Sequence, residues 1–559
     1  MRLAHSFVGS LRFDGAGDRW AALRTVSVAG VVALVFGVVT WRATTIAVGG
    51  VAETSVASQR VQTAAKRADI VDRNGDLLAT SLTIDSLAAA PDEIWDAREV
   101  VEGLATVFPD LDVERLVERL EDPDRKFVWI RRKLSPRQRQ AVYDLGLEGL
   151  RFEKEVQRIY PGGSLAGHLI GYTNVDSKGI AGIELAHQDR LATGGKPLRL
   201  TIDTGVQFAL EDELKFAADA YNIKGGSGVV IEANTGAVRA IASWPPIEPN
   251  RAGDASENER LNRAVGAVFE LGSVFKPLTV AAALDAGVVR PTETFNITKT
   301  VQIGSMTIKD HHPISSTASV TDILAHSSNV GTVKIEQLVG LRRHKEFLDS
   351  LGLLSRPQVV YPGTAAPLLP AEWNELTGAT ISYGHGLAVS PLALAAAYTA
   401  FANDGEMVRP RFVEAEPTDE ISRKRVVSGP TARVIAQMMR VTVSEGTGTR
   451  ADVYGYEVAG KTGTAEKPGP NGYDADRNLC SFVSLFPASR PEYVVLIVLD
   501  EPEALAGEGK TAALNAAPVT GRLIARIAPM LDVAPVLEKH PSISEQSSGV
   551  RAVSDKRAL

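Results

Sequence analysis

The sequence predicts a multidomain α+β protein: one N-terminal membrane-spanning helix, an elongated mixed α/β region, and a larger C-terminal domain of strands and helices. Three observations carry this. A charge-free apolar run stands near the N-terminus, and a mixed region punctuated by turn signals follows it. At Gly225 the chain then changes to apolar strands joined by a hairpin, and after them to alanine-rich helices. Length agrees, since 559 residues correspond to several compact units with ample chain for a large core.

In chain order, residues 1–24 carry Arg2, Arg12, Arg19 and Arg24 ahead of "TVSVAGVVALVFGVVTW", Thr25 to Trp41, 17 residues without a charge. That run is at the short end of what spans a bilayer. It lacks the small-residue cleavage site of a signal peptide and the polar stripe of a core helix. Positive charge concentrated before the run keeps the N-terminus in the cytoplasm. The expectation is a cytoplasmic tail over 1–24, an anchor over 25–45 and a large extracytoplasmic body.

A membrane-proximal domain is expected over 46–224. It opens with "KRADIVDRNGDLLATSL", whose Asn74-Gly75 favours a tight hairpin turn. Helical patterns follow in "REVVEGLATVF" and "VERLVERLED", a strand in "PLRLTID" and a helix in "GVQFALEDELKFAADAY". "GGSGVVIEANTGAVRAIAS" reads as two strands joined across Asn234-Thr235-Gly236 and opens a second domain over 225–535. The polar, serine-rich residues 536–559 read as a disordered tail.

Composition narrows the function. A net charge of -7 offers no basic surface for nucleic acid. The single cysteine, Cys480, excludes an intrachain disulfide and reads as a small buried residue in the strand-like "LCSFVSLF".

In "ELGSVFKPLT" a serine precedes a lysine by three residues, which places Ser273 and Lys276 on one helical face. A helix N-terminus favours a developing serine oxyanion, and a buried lysine can shed its proton near neutral pH. "HSSNVG" adds Ser327 and Asn329 in an interhelical turn, and "VAGKTGTAEK" adds Lys461, Thr462, Gly463 and Thr464. Each element alone is weak, since serine caps helices and lysine covers surfaces. The ordered triple of serine-x-x-lysine, serine-x-asparagine and lysine-threonine-glycine is a specific signature of serine acyl transfer.

The same Lys461 completes "GYEVAGKT", a formal phosphate-loop pattern, and "VVLIVLDE" resembles the strand that holds magnesium in nucleotide-binding proteins. A phosphate loop must open a helix, yet "GTAEKPGPNG" follows here. "VVLIVLDE" is therefore expected to be a buried strand. His311-His312 lacks a third ligand for a metal and reads as a loop; His385, in a glycine-rich turn, is given no catalytic role. No cofactor or metal is expected.

On these motifs the chain resembles a class B penicillin-binding protein, a peptidoglycan D,D-transpeptidase. The resemblance extends to "RADIVDRNGDLLA", "RIYPGGSLAGHLIGY" and "GIAGIE"; "SSNVG" and "KTGTAEK" are similar to the division-specific, FtsI-type branch. Ala68 and Leu271 depart from the family pattern, where glycine and proline are usual. The resemblance implies a pedestal domain and a penicillin-binding domain with an antiparallel sheet flanked by helices. It also implies roles. Ser273 attacks the penultimate D-alanine of a stem peptide, Lys276 takes its proton, Ser327 relays a proton to the leaving D-alanine, and Asn329 holds Lys276 and the donor amide. Lys461, Thr462 and Thr464 grip the terminal carboxylate, Gly463 leaves room for the substrate, and the amides of Ser273 and Thr464 form the oxyanion hole. Implied partners are peptidoglycan stem peptides, β-lactam antibiotics, an FtsW-like glycan polymerase and other division proteins, at the inner membrane near the septum. Alternatives are an elongation-type enzyme, a β-lactamase or β-lactam sensor, and an inactive scaffold.

Overall fold

The computed structural model describes residues 67–310, 316–416, 420–469 and 472–536, together with 27–28, 30–38 and 40. The chain divides into two units at Ala65. In the first, the described residues are helical, with Val31, Leu34 and Phe36 exposed. Among the described residues no helix is long and apolar enough to cross a membrane. The ends of the expected anchor lie outside them, as do the tail 1–24, His311-His312 and residues 537–559.

The second unit opens with a five-stranded sheet. Strands β1 (Ile70–Val71) and β2 (Leu77–Ala89) are joined by the Asn74-Gly75 turn, where Gly75 takes a φ of +99°, a left-handed value that glycine adopts freely. The long β2 also pairs with β3 (Val128–Arg131) and along β4 (Leu150–Ile159), while β1 pairs in parallel with β5 (Leu198–Arg199). Helices α1 (Ala97–Val107), α2 (Val113–Glu121) and α3 (Pro136–Asp144) pack beside it, capped by Asp96, Asp112 and Ser135.

The second sheet is antiparallel throughout. Its order is β8 (Ala459–Gly469), β9 (Gly472–Phe486), β10 (Tyr493–Asp500), β6 (Gly225–Glu232), β7 (Val238–Trp244). Gly236, at φ +70°, closes the expected hairpin between β6 and β7. In β10, "YVVLIVLD", every residue but the last is buried because both faces are covered. Val494, Leu496 and Val498 join the core that includes α5 (Lys276–Asp285), α7 (Pro391–Ala402) and α8 (Gly429–Ser444). Val495, Ile497 and Leu499 face the core that includes α4 (Thr204–Tyr221) and α9 (Ala516–Met530). Between α5 and α7 lies α6 (Asn329–Val339).

Helix α4 stands before the expected boundary at 224, yet Val206, Leu210 and Leu214 are buried with the second sheet. Where the chain passes between the two sheets, "IYPGG" through His168 is the fastening. The Asn250 side chain bonds the Tyr160 amide and carbonyl at 3.0 and 2.9 Å. His168 Nε2 meets the Glu259 carbonyl at 2.7 Å, and the Tyr361 hydroxyl donates to the His168 carbonyl at 2.5 Å.

Candidate active site

Ser273 sits in a tight 3-10 turn, Gly272–Phe275, that runs straight into α5 at Lys276. Pro277 occupies the first turn of α5, where its missing N–H costs nothing. Gly272, at φ +63°, brings this turn onto the backbone of β8: an added Cβ would lie 2.9 Å from the Thr464 carbonyl. Its N–H donates to the Gly384 carbonyl at 3.1 Å. The Ser273 hydroxyl has no hydrogen-bond partner among the described residues.

Three motifs meet at Ser327. This residue connects a short helix, Val320–Ala325, to α6 with a φ of +63°, a value uncommon for a non-glycine residue and frequent at functional sites. Lys276 Nζ donates to the Ser327 carbonyl at 2.5 Å and to its hydroxyl at 3.1 Å. Lys461 Nζ, from β8, donates to the same hydroxyl at 2.9 Å and to the Thr462 carbonyl at 3.0 Å. Thr462 Oγ1 lies 2.8 Å from Thr447 Oγ1, and Thr464 Oγ1 accepts from the Ala512 N–H at 3.0 Å.

Both lysines are fully buried. Burial pushes Lys276 down to about 7, against a smaller opposing pull from the Asp310 carboxylate. Burial, and then the charge of Lys276, push Lys461 well below the ordinary lysine range. Two ammonium groups sharing one hydroxyl cannot both hold their charge cheaply.

Asn329 is in the site but does not reach Lys276. As the first residue of α6 it is held by its backbone amide, which donates to Asp310 Oδ1 at 2.5 Å, and its side chain turns to the Lys309 carbonyl at 3.4 Å. Lys276 meanwhile directs its donors at Ser327. Gly463 also has a reason the sequence does not offer. A Cβ there would lie 2.4 Å from both the Leu271 carbonyl and the Ser481 hydroxyl, so the glycine admits the nucleophile turn against the strand.

Asp310 was not singled out from sequence. It accepts from the Ser328 hydroxyl at 2.7 Å and from the amides of Asn329 and Val330, capping α6 and fixing the Ser327 turn. Its only local signal is an acid next to "HHP", too common to read. Glu270 is similar: it accepts from the Gly386 N–H at 3.0 Å and the Tyr473 hydroxyl at 2.8 Å, tying the chain two residues ahead of the nucleophile turn to two neighbouring segments. His385 lies between the Tyr383 and Tyr473 rings, 5.4 Å from each.

Residues 459–469 form a strand, which removes the phosphate-loop reading, and "VVLIVLDE" is the buried strand expected. Cys480 is buried, its thiol pushed up to about 12 by burial. Among the described residues no group of acidic, histidine or cysteine side chains could hold a metal ion.

A serine opening a helix, with two buried lysines and a second serine beside the edge strand of an antiparallel sheet, marks an acyl-transfer enzyme of the penicillin-binding class. The chain belongs to the penicillin-binding protein transpeptidase family: residues 226–522 match its transpeptidase domain, and residues 62–194 match the penicillin-binding protein dimerisation domain. It is 40% identical to the probable peptidoglycan D,D-transpeptidase FtsI of Caulobacter vibrioides, over 84% of this chain and 82% of that protein. It is 30% identical to the peptidoglycan D,D-transpeptidase FtsI of Escherichia coli strain K12, over 87% of each. Among solved structures, penicillin binding protein 3 of Mycobacterium tuberculosis complexed with aztreonam matches with a TM-score of 0.66 at 28% identity, covering 84% of this chain and 97% of that one.

Proposed function

We propose that the protein is a peptidoglycan D,D-transpeptidase of the septal, FtsI type, which cross-links stem peptides through an acyl-enzyme on Ser273 and is acylated there by β-lactams. The observation that carries this is the convergence of Lys276 and Lys461 on the Ser327 hydroxyl, beside a Ser273 hydroxyl with no partner of its own.

Proton positions follow from the donors. A neutral Lys276 amine has two N–H donors, and both have acceptors on Ser327. Its lone pair is left for the Ser273 proton. Ser273 Oγ then bonds to the carbonyl carbon of the penultimate D-alanine, with the amides of Ser273 and Thr464 receiving the oxyanion. Ser327 Oγ, accepting from both lysines, keeps its own O–H to donate to the departing amine. The C–N bond breaks, D-alanine leaves, an ester remains, and Lys276 passes the proton it took to Ser327 Oγ, which restores the free amine and the hydroxyl. An amine of a second stem peptide attacks that ester, gives up its proton to the same base, and Ser273 recovers its hydrogen.

The donor strand would add along the free edge of β8, its amide met by Asn329 and its carboxylate by Lys461, Thr462 and Thr464. A bound carboxylate would draw the Lys461 proton affinity back up. We assign residues 25–45 as the anchor, 46–224 as the pedestal and 225–535 as the catalytic domain, with residues 1–24 cytoplasmic and an FtsW-like polymerase and other division proteins as partners at the inner membrane. The similarity to two FtsI proteins supports the division role over the elongation role. Fluorescent penicillin applied to the membrane-embedded protein tests the reaction. Label that persists on the wild type and vanishes in Ser273→Ala is expected, with strong loss in Lys461→Ala. Rapid release would indicate a lactamase, and no label on folded wild type would sink the reading.

A further inference from the structure

A cavity of about 580 Å³, with none of the motif residues in its lining, opens between the first sheet and the segment around residues 249–260. Its size is that of a ligand site. Its charge is one-sided. Lys133, Arg251 and Arg260 line it without a carboxylate partner among the described residues, and the one acid in the wall, Glu155, is already taken by Arg132 at 3.3 Å and by the Ser86 hydroxyl.

Beneath this wall is an unbalanced buried charge. Arg67 and Arg158, both at least nine-tenths buried, share a single carboxylate, Glu184, each at 2.6 Å. The cluster holds two cations and one anion away from water, a costly arrangement. Arg158 spends Nε on Glu184 and Nη1 on Ser81, while its buried Nη2 has no partner. Arg158 is part of the cavity wall. An arginine presents a planar fork that suits a carboxylate, and this one has an unused prong.

The wall also carries strand chemistry. Among the described residues β4 pairs with no strand but β2; where Val156 and Gln157 line the cavity, the second edge meets only the Ser177 hydroxyl, which donates to the Val156 carbonyl at 3.3 Å, and the Gln157 side-chain oxygen is buried without a partner. Val175 and Ile180 add exposed apolar surface. An unpaired strand edge is a template for an extended peptide.

We propose that this cavity is a docking site for an extended acidic peptide segment of a partner protein, alternating carboxylate and apolar side chains, with a carboxylate held by Arg158 and flanking contacts from Lys133 and Arg251. Nothing in this proposal depends on the chemistry at Ser273.

The test uses the full-length protein in detergent micelles and a fluorescent Val-Glu-Val-Glu-Val-Glu peptide, with Val-Lys-Val-Lys-Val-Lys as the control. Saturable binding of the Glu peptide alone is expected, weakened about tenfold or more in the double variant Lys133→Ala, Arg251→Ala. Penicillin labelling of that variant should be unchanged, which certifies its fold. Equal binding of both peptides, no saturable binding to the wild type, or undiminished binding to the variant would overturn the proposal. Displacement of the peptide by an equal concentration of inorganic phosphate would also overturn it, because the site would then be one for small anions.

Discussion

Lys276 gives the sharpest expectation at the scale of one residue. Held near 7 by burial, it becomes a free base as pH rises through that value, so penicillin acylation of the wild type should climb through about pH 7 and level off above it, as stopped-flow labelling would record. Replacing it as Lys276→Met removes the base but also a buried cation. Acylation should fall roughly a hundred- to ten-thousandfold with no loss of thermal stability. A variant that loses both together would make the lysine structural. Asp310 acts through the turn it caps. Asp310→Asn should slow acylation several-fold while leaving penicillin's initial affinity close to that of the wild type, and Asp310→Glu should restore part of the rate. The three motif groups were readable because each packs its chemistry into three or four consecutive positions. Asp310 was not, because it reaches Ser328 and Asn329 only through the tertiary fold, from eighteen and nineteen residues away.

Two elements, the nucleophile turn and the edge strand β8, are held in register by an absence of side chain at Gly463. Gly463→Ala would force the strand from the Leu271 carbonyl, at an overpacking cost of about 1–3 kcal/mol and at least a tenfold loss of acylation. Adding Ser481→Ala relieves only the hydroxyl half of the clash, so rescue should be partial when the two variants' labelling rates are compared. From sequence, Gly463 belonged to a motif, but the reason for it lay in a carbonyl nearly two hundred residues earlier. Helix α4 was likewise legible as a helix and not as a member of the catalytic core. Its apolar stripe shows that it must bury one face, and only the fold says against what. Val206, Leu210 and Leu214 each contribute about 1.5–3 kcal/mol by burial, a sum comparable to the net stability of a domain. A fragment of residues 203–536 should be soluble and take penicillin label, whereas one begun at 225 should aggregate, which size-exclusion chromatography would distinguish.

At the scale of the whole molecule, two groups near the joint between the sheets titrate in opposite senses. Burial raises Glu211 to about 7 from an ordinary 4.5, so its contribution to stability is complete below pH 4.5 and is lost as pH rises to about 7. His168 is lowered to about 4 from 6.5 by burial, so its contribution is complete above pH 6.5 and is lost as pH falls to about 4. Each is worth on the order of 2 kcal/mol, allowing for partial exposure. In Glu211→Gln the loss between pH 4.5 and 7 should vanish, so that stability rises from pH 4 to 6.5 and then stays level, while in the wild type the two trends offset each other up to pH 6.5 and stability ends lower by about pH 7 in denaturant titrations. The antiparallel pair α4 and α9 has a further consequence. Gly205 at the start of α4 lies near Met530 at the end of α9, and α4 packs against β7, the sheet edge opposite β8. Past α9, however, the chain runs on to Val536, whose N–H donates to the Gly455 carbonyl at 2.7 Å just ahead of β8, so a reporter fused after residue 536 would leave from the β8 side of the sheet and not from the start of α4.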